Sequence, residues 1–207
     1  MQIVESSYKI LCPANQAEVD QFLQLIELAG RTCYKSEHKI TQTSAQTFIK
    51  MLRDKKHTAM LEHSILSVKF IIDRGLSHEL VRHRIASFAQ ESTRYCDYGT
   101  KGIQVIKPRD IELDTVEYDF WFQAMQMADA MYYALRQSKC KPQIARSVLP
   151  TCLKTELVIT ANWTEWKHIF RMRTDSAVHP DLRAIMLQLL QETKSLIPVV
   201  FDDIEVD

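Results

Sequence analysis

The segment from Arg82 to Tyr95 concentrates side chains that can bind an anion. Its fourteen residues include three arginines, one histidine and two serines, without a matching number of acids. A guanidinium group is planar, stays charged across the physiological pH range and offers paired donors that fit phosphate oxygens. The hydroxyl groups of Ser92 and Thr93, with neighbouring backbone N–H groups, could complete such a cradle. Composition alone is equally compatible with a solvated surface that carries ordinary ion pairs.

The chain as a whole is electrically neutral, with 26 Lys plus Arg residues and 26 Asp plus Glu residues. A neutral protein lacks the long-range field of a nucleic-acid binder, so an anion must meet a local cluster of cations. The neutral charge therefore favours small phosphorylated ligands, and we expect no binding of nucleic acid. No window approaches the ~20 apolar residues of a membrane span. The first residues do not resemble a signal peptide, so we expect a cytoplasmic protein without membrane contact.

The remaining composition excludes several kinds of site. The five cysteines are odd in number and form no C-x-x-C pair, so neither a disulfide framework nor a zinc site is expected. No histidine and acid set has metal-ligand spacing, so we expect no metal. The four glycines form neither G-x-G-x-x-G nor a Walker loop, which excludes Rossmann and P-loop nucleotide binding.

The hydrophobic pattern predicts a single α+β domain over residues 1–207, with a central antiparallel or mixed sheet flanked by helices. Helices are predicted over 14–29, 43–54, 113–138 and from Pro180 to about Ile197, with a further helix starting at Pro142. Strands are predicted over 66–72, 103–106 and 154–161. Asn162 with Glu165 matches a capping box that opens another helix. We interpret the apolar run at 118–135 as core or subunit interface, and Trp163 and Trp166 as packing residues.

Ser77 is predicted to cap a short helix that follows a strand break at Gly75 and reaches Arg84. On a helix, Arg82 and Arg84 would point about 200° apart. One ligand on one face could hardly engage both guanidinium groups. Either one arginine is structural, or the segment lies between two ligands or two subunits.

The order of these residues resembles the flavin-dependent thymidylate synthase family. Arg82-His83-Arg84, seven further residues and then Ser92 fit the diagnostic motif of that family, and Ser92-Thr93-Arg94-Tyr95 fits its continuation. Further blocks resemble the family in the same order along the chain, at Ala29–Tyr34, His57–His63, Ala145–Pro150, Thr160–Trp166 and Arg173. The resemblance therefore covers nearly the whole chain.

The resemblance implies a homotetramer with a thymidylate synthase-complementing-protein-like fold and active sites between subunits. It implies that the protein is a methyltransferase, which converts dUMP to dTMP with FAD, NADPH and methylenetetrahydrofolate. The dUMP ligands that it implies are Glu79, Arg82, Gln90, Ser92, Arg94, Arg146 and Arg173. The FAD ligands that it implies are His57, Arg82, His83, Arg84, Gln90, Asn162 and His168.

Arg173 would be the catalytic residue, because a cation beside the uracil ring stabilises the negative charge that activates C5. Ser92 lacks a neighbouring base in the sequence, so we interpret it as a phosphate ligand and not as a nucleophile. Ala89 and Gln90 stand where many family members have asparagine and glutamate, and Thr164 stands where some have arginine. These departures leave two alternatives open, a related flavin-dependent C5 modification of a pyrimidine nucleotide and a non-catalytic flavin- or nucleotide-binding protein.

Overall fold

The structure is a computed structural model and describes residues 1–206. Contacts between Cα atoms divide the chain into two compact units, each of which is described by itself. The first unit contains residues 1–7, 70–82 and 88–158, and the second contains residues 8–69, 83–87 and the chain from Ile159 onward. Within the described residues, no helix has the length and apolar character needed to cross a membrane.

The chain contains six strands and eight α-helices within the described range. The strands are β1 (Gln2–Val4), β2 (Ser7–Cys12), β3 (Leu66–Asp73), β4 (Ser87–Gln90), β5 (Gln104–Ile106) and β6 (Lys154–Ala161). The helices are α1 (Gln16–Thr32), α2 (Ser44–Asp54), α3 (Arg74–Leu80), α4 (Val116–Gln137), α5 (Pro142–Ala145), α6 (Trp163–Arg173), α7 (Pro180–Leu196) and α8 (Pro198–Phe201). Short 3-10 helices occupy Glu37–Lys39, Thr58–His63 and Arg146–Val148.

Strands β3 and β6 form the centre of a four-stranded sheet with the order β2-β3-β6-β4. Both strands bury alternate side chains, as the period-2 pattern predicts. The hydroxyl groups of Ser67 and Thr160 are hydrogen-bonded at 2.8 Å, and Arg74 N donates to Leu153 O at 3.0 Å. The start of β3 therefore lies beside the end of β6, and the two strands run antiparallel. Strands β1 and β5 form a separate parallel pair. The predicted α+β class is confirmed.

The core of the first unit includes Ile103, Val105 and Leu153, which are inaccessible to solvent. Helix α4 packs Trp121 and other half-buried residues against this cluster, but Tyr132 is its only buried residue. The apolar run of α4 is therefore mostly not core. Its interpretation as a subunit interface stays a prediction.

The core of the second unit is built around α6. Trp163 and Trp166 are inaccessible to solvent, and their indole N–H groups donate to backbone carbonyls at 3.0 and 2.7 Å. Both are packing residues, as predicted. Lys167 is also buried, and its Nζ contacts the two carboxylate oxygens of Asp203 at 2.7 and 2.8 Å. These contacts hold α6 in place, and α6 carries several of the predicted site residues.

The prediction of a helix that is capped by Ser77 and reaches Arg84 is wrong at both ends. Helix α3 begins at Arg74 because Asp73 Oδ1 accepts the N–H of Leu76 at 2.8 Å, while Ser77 Oγ donates to the Arg74 carbonyl. Gly75 consequently lies inside the helix. Helix α3 ends at Leu80, so Arg82 and Arg84 lie in turns, and the helical angle between them does not apply.

Candidate active site

Two predicted phosphate ligands, Arg94 and Arg146, come together in the first unit. Arg94 lies in the turn after β4, and its Nε donates to Gln143 Oε1 of α5 at 3.2 Å. Arg146 follows α5, and its Nη1 donates to Thr93 Oγ1 at 3.3 Å. Both arginines are exposed, and within residues 1–206 neither forms an ion pair with a carboxylate. Two neighbouring guanidinium groups without a counter-charge form a site that suits a dianionic phosphate.

Ser92 shapes the turn between these arginines. Its carbonyl accepts the N–H groups of Tyr95 at 3.1 Å and Cys96 at 2.8 Å, and its Oγ accepts the N–H of Arg94 at 3.3 Å. These bonds use acceptor positions only, so the hydroxyl proton of Ser92 can still be donated to an anion. The geometry suits the predicted role of Ser92 as a phosphate ligand.

Glu91 anchors the base of this turn, a role that the sequence pattern did not indicate. Its carboxylate accepts the Tyr98 hydroxyl at 2.8 Å and contacts Lys154 Nζ at 3.1 Å, while its carbonyl accepts from Arg74 Nη1 at 3.1 Å. Burial, followed by the bond to Glu91, raises the pKa of Tyr98, so this phenol stays a donor. The Lys154 contact joins residues that are 63 positions apart, which no local pattern reveals.

Gln90 makes hydrogen bonds inside the first unit. Its amide nitrogen donates to Ser77 Oγ at 2.7 Å and to Thr155 Oγ1 at 3.3 Å, which leaves its carbonyl oxygen for a ligand. Glu79 is half-buried on α3. The side chain of Arg82, just beyond α3, is exposed and forms no ion pair within the described chain.

The second unit brings His83, His168 and Arg173 together. Arg173 Nε donates to His83 Nε2 at 3.0 Å. The imidazole rings of His83 and His168 pack edge to face, with 5.6 Å between their centroids. Glu165 joins this cluster, with its Oε1 at 3.6 Å from His83 Nδ1. His83 and Glu165 are buried, whereas His168 is exposed. The predicted catalytic arginine therefore lies beside two predicted flavin ligands.

Burial, with the nearby Arg173 and His168, lowers the pKa of His83 to about 4, so the ring is neutral at pH 7. Because the unfolded ring titrates near 6.5, the unfolded chain binds more protons between these values. Stability linked to His83 is therefore complete above pH 6.5 and is lost as the pH falls towards 4.

We expect the free energy of unfolding to fall by up to about 1 kcal/mol per pH unit across that window through His83 alone. Urea denaturation of the wild type and of His83→Asn at several pH values measures this slope. His83→Asn should flatten the slope, and replacement of the exposed His38 by asparagine should not. Equal slopes in wild type and His83→Asn would contradict the buried neutral ring.

The other predicted flavin ligands occupy separate places in the second unit. Asn162 caps α6, since its Oδ1 accepts the N–H of Glu165 at 2.8 Å, and its side-chain amide remains available as a donor. Arg84 is exposed and forms no ion pair among residues 1–206. His57 is exposed and borders a cavity of about 400 Å³ that Tyr34 and Met60 also line.

The side chains of His83, Glu165 and His168 are of metal-ligand type, and their nearest ligand atoms lie within 4.8 Å of one another. The spacing of these residues in the sequence did not indicate such a group. Arg173 donates into the His83 Nε2 lone pair, and a cation in this cluster would face the guanidinium charge. This arrangement favours interactions among the side chains over metal binding.

Comparison with known proteins places these residues in context. The sequence profile described as thymidylate synthase complementing protein matches residues 17–199. A protein from Corynebacterium efficiens is 31% identical over 201 residues, and one from Mycobacterium leprae is 32% identical over 206 residues. Both are named flavin-dependent thymidylate synthase, and each match covers 88% of this chain and 80% of the relative.

Solved structures support the fold. A UMP/dUMP methylase from Streptomyces cacaoi with bound 5-Br dUMP matches with a TM-score of 0.78 and 20% identity, over 98% of this chain and 96% of that one. The same methylase with 5-Br UMP matches with a TM-score of 0.74. The expected thymidylate synthase-complementing-protein-like fold is therefore confirmed.

Proposed function

The chain belongs to the family of flavin-dependent thymidylate synthases, and from that membership we propose that it is a methyltransferase that converts dUMP to dTMP. The observation that carries the substrate assignment is the pair of guanidinium groups of Arg94 and Arg146, which meet at one turn without a carboxylate partner in residues 1–206. A nucleoside monophosphate supplies the missing dianion. Ser92, whose Oγ accepts the backbone N–H of Arg94 in the same turn, donates its hydroxyl to the same phosphate.

FAD fits the donors of the described chain. Arg82 and Arg84 have exposed guanidinium groups without ion-pair partners in this part of the molecule, as the diphosphate of a dinucleotide requires. Asn162 keeps its amide donor and His168 an exposed ring for a polar heterocycle. We propose that the FAD ligands are Arg82 and Gln90 in the first unit, and His57, His83, Arg84, Asn162 and His168 in the second. Bound FAD supplies the hydride, taken from NADPH, that turns the methylene group of methylenetetrahydrofolate into a methyl group.

Arg173 acts on the uracil ring. A guanidinium beside the ring carbonyls would stabilise the negative charge that makes C5 nucleophilic, and we propose that Arg173 supplies it. C5 bonds to the methylene carbon, the bond from that carbon to the folate nitrogen breaks as C5 loses its proton, and the added hydride completes the methyl group on C5, which leaves dTMP and tetrahydrofolate. No protein nucleophile is required, and burial raises the pKa of the Cys152 thiol, which keeps this sulfur protonated.

Self-association is supported by the exposed face of α4. Val116, Phe120, Ala124, Met127 and Met131 form an apolar stripe at the spacing of a packed helix seam. The large side chains of this stripe are 45–69% exposed in the single chain. Such a patch usually marks an interface. We propose that a second copy covers the apolar stripe within a homotetramer whose subunits share active sites.

Met127→Lys should weaken this assembly by at least about tenfold in dissociation constant, because a charge then lies in an apolar seam. Light scattering during size-exclusion chromatography measures the mass of the wild type and the variant. Gln137→Lys, at the polar end of α4, should assemble as the wild type does. A tetramer that forms unchanged in Met127→Lys would place the interface elsewhere.

The proposed activity is tested with the purified full-length chain. Its visible absorption spectrum should show bound flavin, and dUMP labelled with tritium at C5 should release tritium when NADPH and methylenetetrahydrofolate are present. The mass of the product separates dTMP from another C5-modified nucleotide. A colourless protein that takes up no added FAD would reject the proposal.

A further inference from the structure

We propose that Glu165 is a positioning residue, which acts through His83 to hold the Arg173 guanidinium in its working orientation. The role in methylation rests on the proposed function, whereas the three side chains and their contacts do not depend on it. His83 contacts both other side chains. Its Nδ1 lies 3.6 Å from Glu165 Oε1, and its Nε2 accepts a hydrogen bond from Arg173 Nε at 3.0 Å.

The contact with Arg173 indicates which nitrogen of His83 carries the proton in this structure. A guanidinium group can only donate, so His83 Nε2 must be the accepting, unprotonated nitrogen. A neutral imidazole then carries its single proton on Nδ1. Burial disfavours the doubly protonated ring and lowers the pKa of His83, in agreement with a neutral imidazole. The carboxylate of Glu165 lies on the side of the ring where the Nδ1 proton must be.

The start of α6 directs Glu165 towards the imidazole. Asn162 accepts the Glu165 N–H, as half of the predicted capping box. The second half, a bond from the Asn162 backbone N–H to the Glu165 carboxylate, is absent from the bonds of the described chain. His83 is instead the side chain that the Glu165 carboxylate contacts, and the Glu165 side chain is only 9% exposed. The amino-terminal end of the helix also favours a negative charge at this position.

The imidazole links the two ends of α6. Glu165 lies in the first turn and Arg173 is the last residue, and eight residues of helix span about 12 Å. His83 comes from a separate segment and contacts both. Without Glu165, the buried Nδ1–H would lose the carboxylate oxygen that lies 3.6 Å from Nδ1. Moving the proton to Nε2 would then replace the bond from Arg173 by a clash of donors. The groups that face the His83 ring are thus Glu165, Arg173 and His168.

Two substitutions separate the acceptor at Glu165 from its charge. Glu165→Gln keeps an oxygen that can accept the Nδ1 proton, and Glu165→Leu removes it at similar volume. Nitrogen-15 NMR of histidine-labelled full-length protein reports which imidazole nitrogen of His83 is protonated, with the signal assigned through His83→Asn. Steady-state kinetics of dTMP formation give kcat and KM for dUMP.

We expect His83 to be protonated on Nδ1 in the wild type and in Glu165→Gln, and on Nε2 in Glu165→Leu. The value of kcat should fall about tenfold in Glu165→Leu, in the range found when supporting partners of site residues are removed, with KM for dUMP unchanged. Glu165→Gln should retain most of kcat.

Three results would overturn the inference. They are an Nε2-protonated His83 in the wild type, an unchanged kcat in Glu165→Leu, and a reduced kcat in that variant with the His83 tautomer unaltered. The wild-type spectrum decides the first even if Glu165→Leu does not fold. If the wild type makes no dTMP, the proposed function fails, and the tautomers of the variants still decide whether Glu165 governs His83.

Discussion

Replacement of Arg173 by alanine is expected to lower kcat for dTMP formation by about 10³-fold, the loss found when one aligned donor to a developing anion is removed. Arg173 Nε is held by the buried His83, so the guanidinium is oriented before substrate arrives. A donor that needs no reorganisation stabilises the charged ring most strongly. FAD content, measured from the visible spectrum, should stay at the wild-type level, because the proposed FAD ligands do not include Arg173.

Arg171→Ala is the matched control for this prediction. Arg171 lies two residues away on α6, is exposed and pairs with Asp203 at 3.6 Å. Its loss removes the same charge from the same helix without touching the His83 cluster. The kcat of Arg171→Ala should equal that of the wild type. A wild-type rate in Arg173→Ala would show that the uracil ring is activated by another group.

Replacement of Arg146 by alanine is expected to raise KM for dUMP by about 10- to 100-fold, since a hydrogen bond to a charged partner contributes about 1.5–3 kcal/mol. Within the described chain, the contact of Arg146 is Thr93 Oγ1 at 3.3 Å, so its charge is available to a phosphate. Arg94→Ala should have an effect of the same size for the same reason.

Deoxyuridine, which lacks the phosphate of dUMP, separates the contribution of the phosphate to binding from that of the nucleoside. Equilibrium titration, followed by the flavin spectrum, gives the dissociation constants of dUMP and deoxyuridine. Arg146→Ala should weaken dUMP binding and leave deoxyuridine binding unchanged. Lys141→Ala, which removes an exposed cation beside the same short helix, should leave both unchanged. Equal losses for dUMP and deoxyuridine in Arg146→Ala would assign Arg146 to the nucleoside and not to the phosphate.

Local pattern predicted the elements whose signals lie within one segment. The strand at 154–161 and the helix that starts at Pro180 are found where the alternation and the proline indicate. Helix α3 was misplaced because Asp73 and Ser77 are both competent caps, and the choice depends on where β3 ends. Of the short strands, β5 was predicted, whereas β1, β2 and β4 were not, because runs of three to six residues acquire much of their strand character from their neighbours in the sheet.

The site residues divide in the same way. The types and order of Arg82, Ser92 and Arg94 by themselves indicate an anion site and the family. Arg146 contacts Thr93 of the same turn, and these residues are 53 positions apart, so no local sequence pattern could predict the contact. Glu91 and Glu165 were missed as anchors for the same reason.

Sequence by itself determined which chemical groups this protein can offer, because guanidinium charge and hydroxyl donors are properties of single side chains. Tertiary structure alone decided which of these groups keep a free charge and which are used internally. Arg94 remains available, the Gln90 amide nitrogen is bonded to Ser77 of α3 and Thr155 of β6, and His83 is a neutral acceptor. The physical reason is that desolvation and hydrogen bonding depend on the atoms within a few ångströms, and folding draws those atoms from distant parts of the chain.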